Sequence, residues 1–212
     1  MDHKAFIWDL DGTLLDSYGV IVDGLCETFL SFGVTPGKEY IHREVIVRSA
    51  HELMKDVSAE AGIPFDKLKK TCSAITEREK MKIEPIPGAK EILTYLSRRG
   101  ARCFVFTHRG ATSEFILKNT GLYGFFEEIV TGKDGFPRKP DPSAVNYLVE
   151  KYGLDRENTY YVGDRAIDVE CAKRAGIKSI LFLPEYSAAS ATGDETFTVG
   201  ALSEVADLFS RG

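Results

Sequence analysis

Cysteine is scarce in this chain of 212 residues, and the four present (Cys26, Cys72, Cys103 and Cys171) form no Cys-x-x-Cys pair. Scattered single thiols exclude the usual zinc and dithiol redox motifs and read as reduced core residues. The four histidines (His3, His42, His51 and His108) lack the spacing of a His-Glu-x-x-His site, which disfavours a zinc enzyme. No run of Lys and Arg interrupts a net charge of −5, which argues against a general nucleic-acid binder. No apolar stretch is long enough to span a bilayer. The first apolar run, Ala5-Phe6-Ile7-Trp8, is cut short by Asp9, so a secretory leader is not expected and a cytoplasmic protein is. Internal repeats and low-complexity segments are also missing. What is there is the composition of an ordinary globular protein, 43% hydrophobic and 28% charged. The length suits one large domain, or one domain with an insertion.

Hydrophobic periodicity divides the chain in two. From about Ser17 to Glu84 the pattern is helix upon helix. Ile21, Leu25, Phe29 and Leu30 recur at helical spacing and stop at Phe32-Gly33. Leu53, Met54 and Val57 recur likewise before Gly62 and Pro64, and Asp66 is placed to cap a further helix through Leu68 and Ile75. This segment carries 10 Lys/Arg and 11 Asp/Glu, so it is no polyanion clamp. After Pro85 and Pro87-Gly88 the pattern alternates. Helices are predicted at 89–99, 113–119, 141–152, 166–175 and 202–209, and strands at 101–106, 128–131, 159–162 and 179–183. Strands separated by helices imply a parallel sheet covered on both faces, a three-layer α/β sandwich. The expected division is therefore an α/β core of residues 1–16 and 85–212, with an inserted helical domain of residues 17–84.

The chemistry concentrates at strand ends, where open α/β sheets bind ligands. Asp9-Leu10-Asp11-Gly12-Thr13 follows the first strand. Alternation along a strand would turn Asp9 and Asp11 to one side and Leu10 to the core. The pair offers a nucleophile, an acid/base and hard oxygen ligands for a divalent cation, which points to phosphoryl transfer through an aspartyl phosphate. Thr107-His108-Arg109 follows the strand ending at Phe106. The Thr107 hydroxyl can hold a phosphate oxygen beside backbone N–H groups, or it is a turn residue. In Arg138-Lys139-Pro140-Asp141-Pro142, Pro140 favours an extended Lys139. Asp141 then reads as an N-cap with Pro142 the first helical residue. Lys139 could neutralise nucleophile and phosphate, or be a surface charge. In Gly163-Asp164-Arg165-Ala166-Ile167-Asp168, Asp164 can bind a metal or cap the helix. Asp168, four residues on, can bind through water or orient the nearer ligands.

Together these residues resemble the haloacid dehalogenase superfamily, most closely its phosphoglycolate phosphatase-like and β-phosphoglucomutase-like branch, over essentially the whole chain. The resemblance implies a Rossmann-like sheet with a helical cap inserted after the first strand. It makes Asp9 the nucleophile, Asp11 the acid/base, Thr107 and Lys139 catalytic groups that also bind substrate, and Asp164 with Asp168 the acids of the last motif. It further implies Mg²⁺ held by Asp9, the Leu10 carbonyl, Asp11, Asp164 and Asp168. The second motif departs from the family in reading Thr-His, so His108 is carried over as a substrate contact less directly than Thr107. The cap shows no specificity signature. Arg43, Arg48 and His51 are its candidate substrate-binding residues, as polar residues of the inserted segment.

The function implied is Mg²⁺-dependent hydrolysis of a small phosphate monoester, phosphoglycolate or sugar-phosphate-like, with a small phosphorylated metabolite as partner and no nucleic acid or membrane. The chain would act as a monomer or homodimer, with cap hinges near Asp16-Ser17 and residues 84–88. The alternatives are a β-phosphoglucomutase-like phosphotransferase and a catalytically silent regulatory module on the same fold.

Overall fold

The computed structural model of the chain describes residues Lys4–Ser210. Its first strand, β1 (Ala5–Trp8), is buried along its whole length, as a strand covered on both faces must be. The short β2 (Leu15–Asp16) leads into four helices: α1 (Tyr18–Ser31), α2 (Lys38–Val47), α3 (Ala50–Ala61) and α4 (Phe65–Glu79). After β3 (Glu84–Pro85) strands and helices alternate. They are α5 (Ala89–Arg98), β4 (Arg102–Phe106), α6 (Thr112–Asn119), β5 (Glu128–Val130) and α7 (Ser143–Tyr152). Then come β6 (Thr159–Gly163), α8 (Ala166–Arg174), β7 (Lys178–Phe182), β8 (Phe197–Val199) and α9 (Val205–Ser210).

The chain divides into two compact units. One ends its first segment at Leu15 and resumes at Pro85; the other is Asp16–Glu84. The α/β unit is built on a six-stranded sheet in the order β5-β4-β1-β6-β7-β8, and every pairing in it is parallel. The chain fills one side of β1 with β4 and β5, then returns to fill the other with β6, β7 and β8. Strand order therefore reverses at β1. Trp8 is in register with Val105 and with Val162, so the segments that follow β1, β4 and β6 leave the sheet at one edge. On one face, Ile7, Phe104, Phe106 and Tyr161 pack with Ala144, Val145 and Leu148 of α7 and Cys171 and Ala172 of α8. Such burial is the main favourable term in holding strand ends in place, at about 1.5–3 kcal/mol for each large apolar side chain. Within the α/β unit, the Ile86 amide donates to the Leu14 carbonyl at 3.0 Å, which ties the two chain crossings together.

The helical unit has its own core of Val22, Leu25, Phe29, Ile41, Val45, Leu53, Met54, Val57 and Leu68. Leu30, expected in the apolar stripe of α1, is instead 64% exposed, because Phe29 already fills the inward position of that turn. Asp66 does not cap α4. The cap falls two residues earlier, at Pro64, which leaves Asp66 in the first turn, where its charge suits the helix dipole. Asp141 is likewise displaced from the expected cap position. Pro142 caps α7, and the Asp141 carboxylate accepts from the Ser143 amide at 2.9 Å, two residues on, as in an Asx turn. The cysteines are all free thiols. No helix among the described residues is long and apolar enough to cross a membrane.

Candidate active site

Asp9 leaves β1 with its amide bonded to the Val162 carbonyl at 2.9 Å, so the backbone carries the sheet ladder one residue further and delivers the side chain at the sheet edge. The turn that follows is tight. Gly12, at φ 81°, adopts a conformation that a side chain would disfavour. The Leu10 carbonyl accepts the amides of Thr13, Leu14 and Leu15 at 3.2, 3.0 and 2.8 Å. An oxygen with three amides on its two lone pairs is not open to a cation, so the expected role of Leu10 as a metal ligand fails.

Asp9 is buried, and Lys139 lies against it, Nζ to Oδ1 at 3.1 Å. The same ammonium reaches Asp168 Oδ1 at 2.6 Å and donates to the Tyr161 hydroxyl at 3.0 Å. That hydroxyl in turn donates to the Phe106 carbonyl at 2.9 Å. The Arg165 guanidinium touches the other Asp9 oxygen at 3.3 Å. Burial pushes the Asp9 carboxyl up, but Lys139 and Arg165 outweigh it and hold the group below the usual carboxylate range. Burial likewise presses the Lys139 ammonium toward its neutral form, and Asp168 and Asp9 hold it above its ordinary value. The outcome is an ionised, desolvated carboxylate clamped between two cations.

Asp164 and Asp168 follow β6. Carboxylate oxygens of Asp9, Asp164 and Asp168 lie within 4.8 Å of one another, a buried set of hard oxygen donors. The Thr13 hydroxyl donates to Asp164 Oδ1 at 3.0 Å. Arg165, not Asp164, caps α8, and Asp168 reaches back to accept the Arg165 amide at 3.1 Å. With Lys139 on one oxygen and that amide on the other, Asp168 orients its neighbours. Gly163 makes the approach possible, since a Cβ there would lie 2.4 Å from Asp168 Cβ and Cγ.

Asp11 stands apart from this set. Its carboxylate is forked by Arg109, with Nη2 at 2.6 Å and Nε at 2.9 Å from Oδ1, and Nε at 3.2 Å from Oδ2. The Asp11 carboxylate is thus engaged by a guanidinium, a good match for its two oxygens, and lies outside the buried three-acid set. Thr107 is buried and its hydroxyl accepts the Arg109 amide at 3.1 Å, the turn role considered for it. His108 supports Lys139: the Lys139 amide donates to Nε2 at 2.8 Å, and the ring packs edge-on against Phe106. That contact commits one ring nitrogen, Nε2, to the backbone of Lys139.

Arg43, Arg48 and His51 belong to the helical unit. Arg48 is bonded to Asp56 and Glu44, Arg43 lies over the Tyr40 ring, and His51 packs edge-on against Phe65. Sequence reasoning missed Arg109, Arg165 and Tyr161. The first two were in plain view beside motif residues, and the third is a hydroxyl inside an otherwise apolar strand.

Comparisons with known proteins identify the family and the fold. The profile of the haloacid dehalogenase-like hydrolases matches residues 6–182. A phosphoglycolate phosphatase of Vibrio cholerae is 30% identical over 196 residues, covering 83% of this chain and 82% of its own. One from Rhodospirillum rubrum is 28% identical over 220 residues, covering 99% and 89%. The crystal structure of a predicted phosphoglycolate phosphatase from Haemophilus somnus superimposes with a TM-score of 0.85 at 18% identity, covering 99% of both chains, and so supports the fold. On the buried acid cluster at the sheet edge and on this match, the chain is an enzyme of the haloacid dehalogenase-like hydrolase family, in its phosphoglycolate phosphatase-like branch.

Proposed function

We infer that the chain hydrolyses a small phosphate monoester, phosphoglycolate or sugar-phosphate-like, through a phosphorylated Asp9 and with Mg²⁺. The observation that carries this reading is Asp9 itself: buried, ionised and held between Lys139 and Arg165 beside Asp164 and Asp168. A desolvated carboxylate in a fixed pose is a competent nucleophile toward phosphorus. The all-oxygen donor set fits Mg²⁺, which Asp9 and Asp164 would hold and Asp168 would orient; when bound it neutralises charge on the phosphate.

Asp9 forms a bond to phosphorus as the bond to the ester oxygen breaks, and Asp11 gives that oxygen its proton. Asp11 then takes a proton from the water that attacks phosphorus, and Asp9 departs as a carboxylate. Lys139 balances the charge on Asp9 and phosphate throughout, and Thr107 with the amides of its loop holds a phosphate oxygen. Arg43, Arg48 and His51 remain the proposed specificity residues of the helical unit.

The test is phosphate release from a panel of small monoesters with Mg²⁺. Hydrolysis should need the cation, stop with chelator and vanish in Asp9→Asn with the fold retained. Metal-dependent turnover by that variant would refute the nucleophile. Alanine variants of Arg43, Arg48 and His51 with unchanged kcat/KM across the panel would remove them from substrate binding.

A further inference from the structure

Resting on the phosphatase reading, we propose that Tyr161 is the positioning residue of Lys139. Its hydroxyl takes the third N–H of the ammonium and ties it to the end of β4, which fixes Nζ against the carboxylate that attacks phosphorus.

An ammonium has three N–H groups to place and accepts nothing in return. Lys139 Nζ lies 3.1 Å from Asp9 Oδ1 and 2.6 Å from Asp168 Oδ1, and it donates to the Tyr161 hydroxyl at 3.0 Å. Two of these acceptors are charged and one is neutral, and the neutral one needs a reason. Tyr161 stands among apolar residues, with Ile7, Phe104 and Phe106, where a phenylalanine would fill the same space and carry no polar atom. A hydroxyl in such a place is costly unless it is hydrogen-bonded. Its donation to the Phe106 carbonyl at 2.9 Å meets that cost by itself. The bond accepted from Lys139 goes beyond it.

The hydroxyl is also aimed. The strand order is β4-β1-β6, so Tyr161 reaches from β6 across β1 to the carbonyl that closes β4. Giving its proton to that carbonyl turns an oxygen lone pair toward Nζ. The Phe106 and Tyr161 rings, each 5.4 Å from Nζ, give the ammonium apolar walls, and the hydroxyl is the acceptor those walls supply.

A lysine needs this help because its ammonium is a point charge on a flexible four-carbon stem. Between two carboxylates alone, Nζ would settle on the nearer one, Asp168, and draw away from Asp9. The Tyr161 hydroxyl at the tip and His108 Nε2 on the Lys139 amide, at 2.8 Å, hold the residue at both ends. Nζ then stays on Asp9 Oδ1 and fixes the pose of the nucleophile. A shift of about 1 Å at a reacting group can cost about 100-fold in rate. Tyr161 itself gives up no proton and touches no substrate; it acts through Lys139.

The experiment compares wild type with Tyr161→Phe and with 3-fluorotyrosine in place of Tyr161, which keeps the phenol and weakens its oxygen as an acceptor. The first readout is the ammonium resonance of Lys139 in protein labelled with ¹⁵N-lysine, with chelator present and no substrate, assigned by its loss in Lys139→Met. In wild type it should exchange slowly with water. Tyr161→Phe should displace it and speed its exchange, and fluorotyrosine should displace it the same way by less. The second readout is turnover of p-nitrophenyl phosphate with Mg²⁺. Tyr161→Phe should lower kcat about 10-fold, the scale of one hydrogen bond to a charged group, with KM changed less than about twofold. The fluorotyrosine protein guards against a Tyr161→Phe chain that fails to fold. A resonance unmoved in both proteins, a wild-type resonance lost to fast exchange, or a loss in KM with kcat unchanged would overturn the assignment in an active enzyme. A wild type without phosphatase activity would overturn the phosphatase reading, and the catalytic role of Tyr161 with it, even where the resonance moves as expected.

Discussion

Replacing Lys139 with methionine keeps most of the side-chain volume and removes an ammonium that is fully buried between two carboxylates, at 3.1 Å from Asp9 and 2.6 Å from Asp168. The variant leaves those two acids desolvated with less compensation, and it takes a donor from the Tyr161 hydroxyl. Breaking a buried ion pair by deleting one partner costs about 3–5 kcal/mol. Arg165 remains on Asp9 at 3.3 Å and offsets part of this, so the lower half of that range is expected. For a chain of this size the loss is a fall of roughly 10 °C in Tm. Urea denaturation with chelator present measures it without stabilisation by bound cation. The companion double variant, Lys139→Met with Asp168→Asn, removes one stranded charge and should recover part of the loss. A fall below about 1 kcal/mol, or a double variant less stable than the single one, would refute the claim that Lys139 neutralises both acids.

Two further substitutions and one titration follow from the same geometry. Gly163→Ala puts a Cβ 2.4 Å from Asp168 Cβ and Cγ, so it should cost about 1–3 kcal/mol by overpacking and lower turnover by displacing Asp168. Gly110→Ala, with nothing within 4 Å, should leave stability nearly unchanged in the same denaturation assay. Burial pushes the Cys103 and Cys171 thiols from 9.0 up to about 12. A raised folded value means that stability is fully present below 9.0 and is lost as pH climbs toward 12. The loss should run at about 1.4 kcal/mol per pH unit for each thiol, read as a steep alkaline fall in Tm that Cys103→Ala and Cys171→Ala make shallower.

Asp9, Asp11 and Asp164 were legible because each sits just past a strand that its own apolar residues announce, whereas Lys139, well beyond the end of β5 at Val130, was marked by the prolines around it. Ala5–Trp8, Arg102–Phe106 and Thr159–Gly163 are short, wholly or almost wholly buried runs, and the polar residues after them stand out. The strand at Phe197–Val199 escaped notice: it is three residues long and follows a polar, small-residue stretch. The Leu10 carbonyl could not be judged from residue types, because its three amide partners come from a turn whose geometry depends on Gly12. Arg109 and Arg165 were overlooked for a different reason. Their partners, Asp11 and Asp9, lie 98 and 156 residues away, and nothing local marks an arginine as paired. His108 is a substrate contact only by resemblance to the second motif of the family, and residue types could not show that its Nε2 accepts from the backbone of Lys139.

The central claim is that phosphorus is held covalently by Asp9 during turnover. Rapid acid quenching of the enzyme in the presence of substrate and Mg²⁺, followed by borohydride reduction and peptide mass spectrometry, reads this directly. A reduced acyl phosphate at position 9, absent without substrate and absent in Asp9→Asn, is the predicted result. Turnover with the Asp9 peptide unmodified at every quench time, or with the label on another residue, would contradict it.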